Sequence, residues 1–204
     1  MFSVLSIHTF SQQATGRSQK KIGFWKLSGP EKYWVITHPF IANMARKITV
    51  EARQYSDQMK ANTKLDGDAD GGRVDALRHS YWMARMAQSF CWKKAIKLGI
   101  AHEKGNYKFF KKGQNDEESV LPDSISSVMD LYNNEIGAKI GCSNNDISPD
   151  SIKTVIFQSI IIGKMLIISK NGQGVPIDCN GKVIDTRIFE SKWYIPKCLA
   201  PSGF

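Results

Sequence analysis

The chain has 204 residues, of which 42% are apolar and 23% are charged, so it is long enough for one globular domain and lacks the composition of a disordered protein. Its 28 basic and 19 acidic residues give a net charge of +9, which favours anionic partners such as phospholipid, cell-wall polymer or nucleic acid. The basic residues are scattered and do not alternate with aromatic residues. We therefore do not expect a nucleic-acid reader.

Residues 1–30 are interpreted as the remnant of a secretory signal peptide followed by a linker. The apolar stretch MFSVLSIHTF passes into the polar SQQ, as at the end of a signal peptide, but the basic residues that open such a peptide are absent. A true start upstream of Met1 would account for that absence. The alternative is a disordered or strand-like tail. The first interpretation predicts an exported protein in the periplasm, at the cell surface or outside the cell.

The first predicted helix begins at Pro39, which suits the first helical position, and ends near Asn62. Apolar residues at helical spacing define its inward face: Ile41, Met44, Ile48, Ala52, Tyr55 and Met59.

The loop after this helix, KLDGDADGG, contains half of an EF-hand calcium motif. Asp66, Asp68 and Asp70 take ligand positions 1, 3 and 5, and Gly71 takes position 6. Position 12, which requires a bidentate acid, is Leu77. One interpretation is calcium bound by the three aspartates. The other is a solvated turn whose aspartates cap the next helix.

The next segment, VDALRHSYWMARMAQSF at residues 74–90, is apolar on nearly every side, which predicts a buried helix. Asp75, Arg78, His79 and Trp82 follow one another at i, i+3, i+4 and i+7 and therefore share one stripe. An unpaired buried charge costs several kcal/mol, so these charges need partners. The stripe is either an internal Asp75–Arg78 ion pair with a hydrogen-bonded histidine or part of a functional site.

Three more helices are predicted, at residues 92–104, 123–141 and 148–169, with a polar loop at 105–122. Ser148 and Pro149 start the last helix, and two lysines and a glutamine make it a core helix rather than a membrane span. The inward face of the 123–141 helix is predicted to carry Ile125, Val128, Met129, Tyr132, Ile136 and Ile140. Gly141 is predicted to end that helix, and NGQG to cap the last one.

The segments together predict an all-α fold, a single orthogonal helical bundle over residues 31–170. A small β-like tail follows over residues 171–204, with a hairpin indicated by Asn180-Gly181. The four cysteines fit an oxidising compartment, and the absence of a C-x-x-C pair argues against a zinc ribbon. Cys179 and Cys198 could pair, whereas Cys91 is expected to be buried in a helix.

Two further polar clusters lie on otherwise apolar helices, His102-Glu103 and the Asp130, Asn133 and Asn134 group. Asp130 and Asn134 share a helix face, and Gly137 and Gly141 continue that face, which would let another helix approach closely. A lone buried histidine is usually a satisfied core residue. Three polar clusters on three core helices instead predict a polar pocket within the bundle.

These motifs resemble an uncharacterised family of bacterial helical domains. The resemblance rests on three blocks, Asp75-Ala76-x-Arg78-His79-x-x-Trp82, Ala101-His102-Glu103 and Met129-Asp130-Leu131-x-Asn133-Asn134-x-x-Gly137. It extends over roughly residues 30–170, and many relatives carry histidine where this chain has Tyr132. The resemblance implies a helical fold and a shared polar site, not a particular reaction.

The first functional interpretation is an exported hydrolase acting on an envelope phosphoester or lipid. Its candidate catalytic residues are Arg78, His79, His102, Glu103, Asp130 and Asn134. The histidines would transfer protons or, with Asp130, hold a divalent metal, because imidazole does both near neutral pH. Arg78 would hold a phosphate or carboxylate, and Asn134 would orient the substrate or an oxyanion. Glu103 and Asp130 would serve as general base and metal ligand.

The second interpretation is a non-catalytic envelope or binding module, whose polar clusters form a structural network that fixes helix packing. The absence of G-x-S-x-G, H-E-x-x-H and P-loop motifs favours it. A third is a toxin-like nuclease or lipase effector that uses metal-free acid–base chemistry. Convergence of His79, His102 and Asp130 on one solvent-reachable cavity would favour an enzyme. Separate closed clusters would favour the module.

Overall fold

The computed structural model describes residues 23–113, 122–189 and 191–203. Its helices are α1 (Gly29–Thr37), α2 (Pro39–Met59), α3 (Arg73–Ser89), α4 (Trp92–Lys111), α5 (Ser124–Ser143) and α6 (Pro149–Ile161). A 3-10 turn at Phe24–Lys26 precedes α1, and a second one spans Thr186–Phe189. Strands β1 (Leu166–Ile168) and β2 (Leu199–Pro201) pair antiparallel. The predicted all-α class is confirmed, because this pair is the whole sheet content of the described residues.

Helix α3 forms the centre of the molecule. Leu77, Tyr81, Met83 and Met86 are fully buried, as the all-round apolar pattern predicts. α3 packs most extensively against α5 and also contacts α2, α4 and α6. Side chains of α3 therefore have other helices on several sides, and a polar group among them must find its partner inside the protein.

Two glycines bring α5 against α3. A Cβ atom at Gly137 would lie 2.1 Å from the carbonyl oxygen of Ser80, and one at Gly141 would lie 2.2 Å from that of Ala84. The predicted close approach is confirmed. The prediction that Gly141 ends the helix is wrong, because α5 continues to Ser143. Gly141 is needed for contact with α3, where any side chain would meet backbone.

The buried face of α5 differs from the predicted one. Val128 and Tyr132 are 52% and 41% exposed, whereas Asp130, Asn134 and Gly137 face inward. The inward face contains the small residues because they allow the backbones to approach, and it carries the polar residues into the interior. The prediction is confirmed for Met129, which is fully buried, and for Ile136 and Ile140, which pack against the core, and it is wrong for Val128 and Tyr132.

Helix α1 is not predicted by the apolar pattern. It begins with a capping box, in which Ser28 accepts from the backbone N–H of Glu31 and the Glu31 carboxylate accepts from that of Ser28 at 2.8 Å. The hydroxyl of Ser28 would lie 2.4 Å from a Cβ at Gly105, so α1 begins directly against α4. The prediction of a loop is wrong for residues 105–111, which form the last part of α4. Gly105 lies within that helix and packs against Ser28.

A disulfide closes the tail on itself, and polar contacts such as that of Arg73 with the carbonyl oxygen of Ser202 attach it to the bundle. Cys179 and Cys198 form a disulfide. A turn over residues 178–182 places Gly181 at φ +80°, and the bridge between Ile177 and Val183 supports the predicted hairpin. α6 stops at Ile161, well before the predicted residue 169, because Gly163 adopts φ +79° and β1 follows. None of the described helices is long and apolar enough to cross a membrane.

Two other predictions concern the chain ends and the cysteines. Of the predicted signal remnant and linker at residues 1–30, residues 1–22 lie outside the described residues, as does the part of the polar loop at 114–121. Residues 23–30 are described, and they contain the first 3-10 turn and the start of α1. Cys91 is not buried within a helix. It is the exposed N-cap residue of α4, and Cys142 near the end of α5 is also exposed and unpaired.

Candidate functional site

The imidazole of His79 lies at the centre of the candidate site. Its Nε2 is 3.5 Å from Oδ1 of Asp75, one turn earlier on α3, and 3.5 Å from Oδ1 of Asp130 on α5. The His79 side chain is 5% exposed. The close approach at Gly137 explains this geometry, because it brings the polar face of α5 against α3.

Arg78 lies among the same groups. Its guanidinium donates a hydrogen bond to Asp75, and its Nη2 lies 3.2 Å from Nε2 of His79. The predicted internal ion pair between Asp75 and Arg78 is therefore confirmed. The Arg78 side chain is nonetheless 34% exposed, so one guanidinium borders both the buried carboxylate and solvent-accessible space.

Asp75, His79 and Asp130 could hold a metal ion by proximity, because their ligand atoms lie within 4.8 Å of one another. The guanidinium of Arg78 already supplies a positive charge to this group, so a divalent metal would have to compete with it. The metal set predicted from sequence included His102 instead of Asp75. That histidine has another partner.

The electrostatics of the cluster favour a neutral imidazole. Burial, followed by the charges of Arg78 and His102, holds the pKa of His79 well below its ordinary value of 6.5, although the Asn134 amide opposes this shift. Burial and the charges of Asp75 and Glu103 raise the pKa of Asp130 well above 3.8. Burial likewise raises the pKa of Asp75, although Arg78 opposes it. His79 is thus neutral at neutral pH and can accept a proton.

The second histidine, His102 on α4, is paired with a residue of α1. Its Nδ1 lies 2.8 Å from Oε1 of Glu31. Burial alone would lower the pKa of His102, but the Glu31 hydrogen bond and the charges of Glu103 and Glu31 outweigh burial and raise it. Burial alone would raise the pKa of Glu31, but the hydrogen bond and charge of His102 lower it. Both shifts favour the ionic form of this pair.

A partly open cavity of about 580 Å³ lies beside both histidines. Its apolar wall comes from the first 3-10 turn and from α1, α2, α3 and α4, and includes Phe24, Leu27, Trp34, Val35, Ala45, Trp82 and Leu98. Its ionisable wall residues are Glu31, Arg46, Arg53, Asp57, Lys60, Arg78, His79 and His102. Asp130 does not line the cavity. The size and the mainly apolar lining are those of a small-molecule site.

Several buried polar atoms around His79 have no hydrogen-bond partner in the described part of the chain: Nδ1 of His79, Oδ1 of Asp130, Oε1 of Glu103 and both amide atoms of Asn134. The other carboxylate oxygen of Glu103 accepts from Ser127 at 2.7 Å. Burial raises the pKa of Glu103, while His102 opposes the shift. Native proteins leave few such atoms unsatisfied, so these atoms are places where water or a polar group of a ligand could bind.

The Asp-rich loop lies at the start of α3 and caps that helix. Asp66 accepts from the backbone N–H of Arg73 at 2.7 Å, and Asp68 accepts from that of Asp70 at 3.0 Å. The ammonium of Lys170 donates to the carbonyl oxygen of Asp70 at 2.6 Å and also to the Asp68 carboxylate. These contacts support the capping interpretation. Calcium at Asp66, Asp68 and Asp70 stays a prediction, which a calcium-dependent rise in melting temperature would test.

The sequence-predicted residues occupy one region of the protein. Arg78, His79 and His102 reach the cavity wall, and Asp130 contacts His79 from behind. Glu103 and Asn134 are buried where α4 and α5 meet, since Nδ2 of Asn134 would lie 2.9 Å from a Cβ at Gly99.

Sequence reasoning missed two residues of this site, Glu31 and Arg53. The capping signature Ser28-x-x-Glu31, followed by Trp34, was the available signal for a helix there. No local signal marks Arg53 as a cavity residue, because its role depends on α2 lying opposite α1. The residues on the cavity wall could therefore be identified only from the tertiary structure.

A family model described as a domain of unknown function, DUF6973, matches residues 32–164 of the chain. The match confirms the resemblance to an uncharacterised domain family, and it includes every residue of the His79 cluster. No curated protein and no solved structure matches the chain.

Proposed function

We propose that this chain, which belongs to the DUF6973 family, is an exported hydrolase that cleaves a phosphoester or a lipid ester in an amphipathic molecule of the cell envelope. One observation carries the proposal. The neutral imidazole of His79 lines a mainly apolar cavity, while two carboxylates face its Nε2. A neutral histidine with carboxyl groups beside it is suited to act as a general base.

The chemistry assigned to His79 is proton transfer to and from the reacting groups. His79 accepts a proton from water as the water oxygen attacks the ester carbon or phosphorus. The bond to the leaving alcohol oxygen then breaks, and the imidazolium returns the proton to that oxygen. The Oδ1 atoms of Asp75 and Asp130, each 3.5 Å from Nε2, lie beside the ring and would attract its protonated form.

Arg78 binds the anionic part of the substrate or stabilises the negative charge that develops during the reaction. Its guanidinium contacts His79 and is partly exposed at the cavity wall, so it reaches both the base and the substrate. A planar guanidinium forms paired hydrogen bonds with phosphate or carboxylate oxygens. Asp75 holds this side chain in place.

Export is supported by the disulfide between Cys179 and Cys198, since disulfides persist in oxidising compartments. The net charge of +9 supports an envelope substrate, because basic proteins are attracted to anionic surfaces.

A non-catalytic binding module is the second candidate, and the Glu31–His102 ion pair favours it. This pair satisfies a cavity histidine internally, as a structural network would. The cavity would then hold a ligand without changing it.

The test is incubation of the purified protein with an envelope lipid extract, followed by mass spectrometry of the soluble products and of the lipid that stays bound. The hydrolase account predicts free fatty acid, alcohol or phosphate that increases with time. Bound but chemically intact lipid, with no product at any protein concentration, would overturn it in favour of the binding module. A chelator added in parallel should leave the product yield unchanged, because the proposed chemistry needs no metal.

A further inference from the structure

The charges on the cavity wall indicate the chemical class of its occupant, and this inference rests on the proposed function. α2 and the residue that ends it place three basic side chains on the wall at seven-residue intervals, Arg46, Arg53 and the C-cap residue Lys60. Lys60 is paired with Asp57 at 2.7 Å. Arg46 has a 3.5 Å contact with Asn43. Within the described residues the guanidinium of Arg53 has neither an ion pair nor a hydrogen bond.

Arg53 shares the cavity wall with a second guanidinium, that of Arg78. Arg53 is an exposed residue, and partial desolvation of its guanidinium, followed by the positive charge of Arg78, lowers its pKa. Arg78 in turn contacts Nε2 of His79 at 3.2 Å. The carboxylates of Glu31 and Asp57 attract Arg53, but each is already engaged, Glu31 with His102 and Asp57 with Lys60. Two neighbouring guanidiniums, one of them unpaired, favour an anion between them.

The rest of the wall favours an apolar chain. Trp34, Val35 and Leu98 face the same cavity as the two arginines. A volume of about 580 Å³ is within the usual range for sites that enclose one small ligand. An ion alone would leave this apolar surface uncovered, and a neutral hydrocarbon would leave Arg53 unpaired.

We propose that the cavity binds an amphiphile that carries a phosphate group next to an apolar chain. The phosphate lies between Arg53 and Arg78, and the chain lies against Trp34, Val35 and Leu98. This pose brings the ester adjacent to the phosphate close to His79, because Arg78 contacts both the anion and the imidazole. Arg53 is therefore a specificity-determining residue for an anionic headgroup.

Calorimetric titration with three probes tests the proposal without requiring turnover. Decylphosphonate, which has no cleavable ester, carries both the anion and the chain. Methylphosphonate carries only the anion, and decyl maltoside carries the chain with an uncharged head. The proposal predicts that decylphosphonate binds at least about tenfold more tightly than either of the other two probes, since each of them loses one class of contact. Equal affinity for decylphosphonate and either single-feature probe would overturn it, as would no binding.

Two matched variants locate the headgroup. Arg53→Gln and Lys60→Gln each remove one positive charge from the cavity face of α2. Arg53→Gln should weaken decylphosphonate binding by about tenfold or more, whereas Lys60→Gln should change it by less than about threefold, because Lys60 is already paired. Equal losses in both variants would mean that only net charge matters, which would contradict the assigned position. Arg53→Lys, which keeps the charge, should recover part of the affinity.

The binding experiment can succeed or fail independently of the hydrolysis experiment. Binding of decylphosphonate that depends on Arg53, in a protein that hydrolyses no ester, would uphold this ligand class and remove the hydrolase. Hydrolysis of neutral esters without decylphosphonate binding would do the reverse. Melting temperatures of all variants show whether a lost affinity reflects a lost fold.

Discussion

Glu31 and His102 form an ion pair whose contribution to the stability of the fold depends on pH. The pKa of His102 is raised above 6.5, so its contribution is complete below pH 6.5 and is lost as the pH rises through the raised pKa. The pKa of Glu31 is lowered below 4.5, so its contribution is complete above pH 4.5 and is lost as the pH falls through the lowered pKa. The pair therefore stabilises the fold most between pH 4.5 and 6.5.

Replacing Glu31 with glutamine should reduce the free energy of unfolding by about 1 kcal/mol near about pH 5.5, and the deficit should shrink near about pH 9 as His102 loses its proton. Denaturant unfolding at the two pH values measures the effect. Glu51→Gln is the control, because it removes an ion pair of 3.0 Å whose basic partner is an arginine, Arg85, rather than a histidine. A deficit for Glu31→Gln that stays constant with pH would contradict the assignment.

Lys197 carries a buried charge that connects the tail to the bundle. Its Nζ lies 2.6 Å from Oδ2 of Asp123, and the two side chains are 4% and 1% exposed. Asp123 is also the N-cap of α5, where it accepts from the backbone N–H of Ile125. The same carboxylate thus caps a helix and anchors the C-terminal segment.

Lys197→Met should lower the free energy of unfolding by about 3–5 kcal/mol, because it leaves the buried Asp123 carboxylate without its counter-charge. Lys139→Met is the matched control, since it breaks the exposed pair with Glu135 and should cost less than about 1 kcal/mol. Equal losses in chemical denaturation would show that the Lys197 pair is not buried in solution.

At the scale of elements, the sequence predicts helices well where the pattern is local. α2 and α3 are close to their predicted bounds, and Ser148 and Pro149 start α6 as expected. The inward face of α5 could be predicted only in part from apolar spacing, because close packing on α3 requires Gly137 and Gly141 rather than Val128. Long-range packing, not local propensity, decides which side of that helix is buried.

The candidate site also contains residues that the local sequence pattern predicts and residues that only long-range packing brings in. The motif residues Arg78, His79 and Asp130 could be singled out because polar residues on apolar helices are unusual, and the structure brings them together. The cavity could not be predicted, because its wall combines α1, α2 and α4, whose mutual arrangement leaves no local pattern. Glu31 belongs to the site only because α1 packs against α4 at Gly105.

Gly137→Ala should destabilise the protein by about 2–3 kcal/mol, although alanine is the better helix former, because the added Cβ would meet the Ser80 backbone at 2.1 Å. Gly172→Ala is the control, since a Cβ there has no atom within 4 Å and should change stability by less than about 0.5 kcal/mol. A Gly137→Ala protein with wild-type melting temperature would contradict the close approach of α3 and α5.

At the scale of the whole molecule, the disulfide closes the tail and leaves two thiols free. Cys179 and Cys198 are joined, while Cys91 and Cys142 are exposed. A thiol reagent should therefore titrate two groups in the native, unreduced protein and four after reduction and unfolding. Protein from an oxidising compartment is the sample to use. Four reactive thiols in that native protein would contradict the disulfide and would remove a main support for export.

The molecule places one histidine between a buried pair of carboxylates and a cavity with basic and apolar walls. Five helices contribute to this arrangement. α3 carries the histidine, α5 carries Asp130, and α1, α2 and α4 line the cavity. The central claim is that His79 transfers the proton during ester hydrolysis.

The most direct measurement compares initial rates of hydrolysis of a purified anionic lipid ester by wild type, His79→Gln and His38→Gln. His38 is the matched histidine, because it stacks on Trp34 and does not line the cavity. The account predicts a loss of at least about 100-fold in His79→Gln, with the melting temperature little changed, and near wild-type rates in His38→Gln. Wild-type rates in a folded His79→Gln protein would contradict the account.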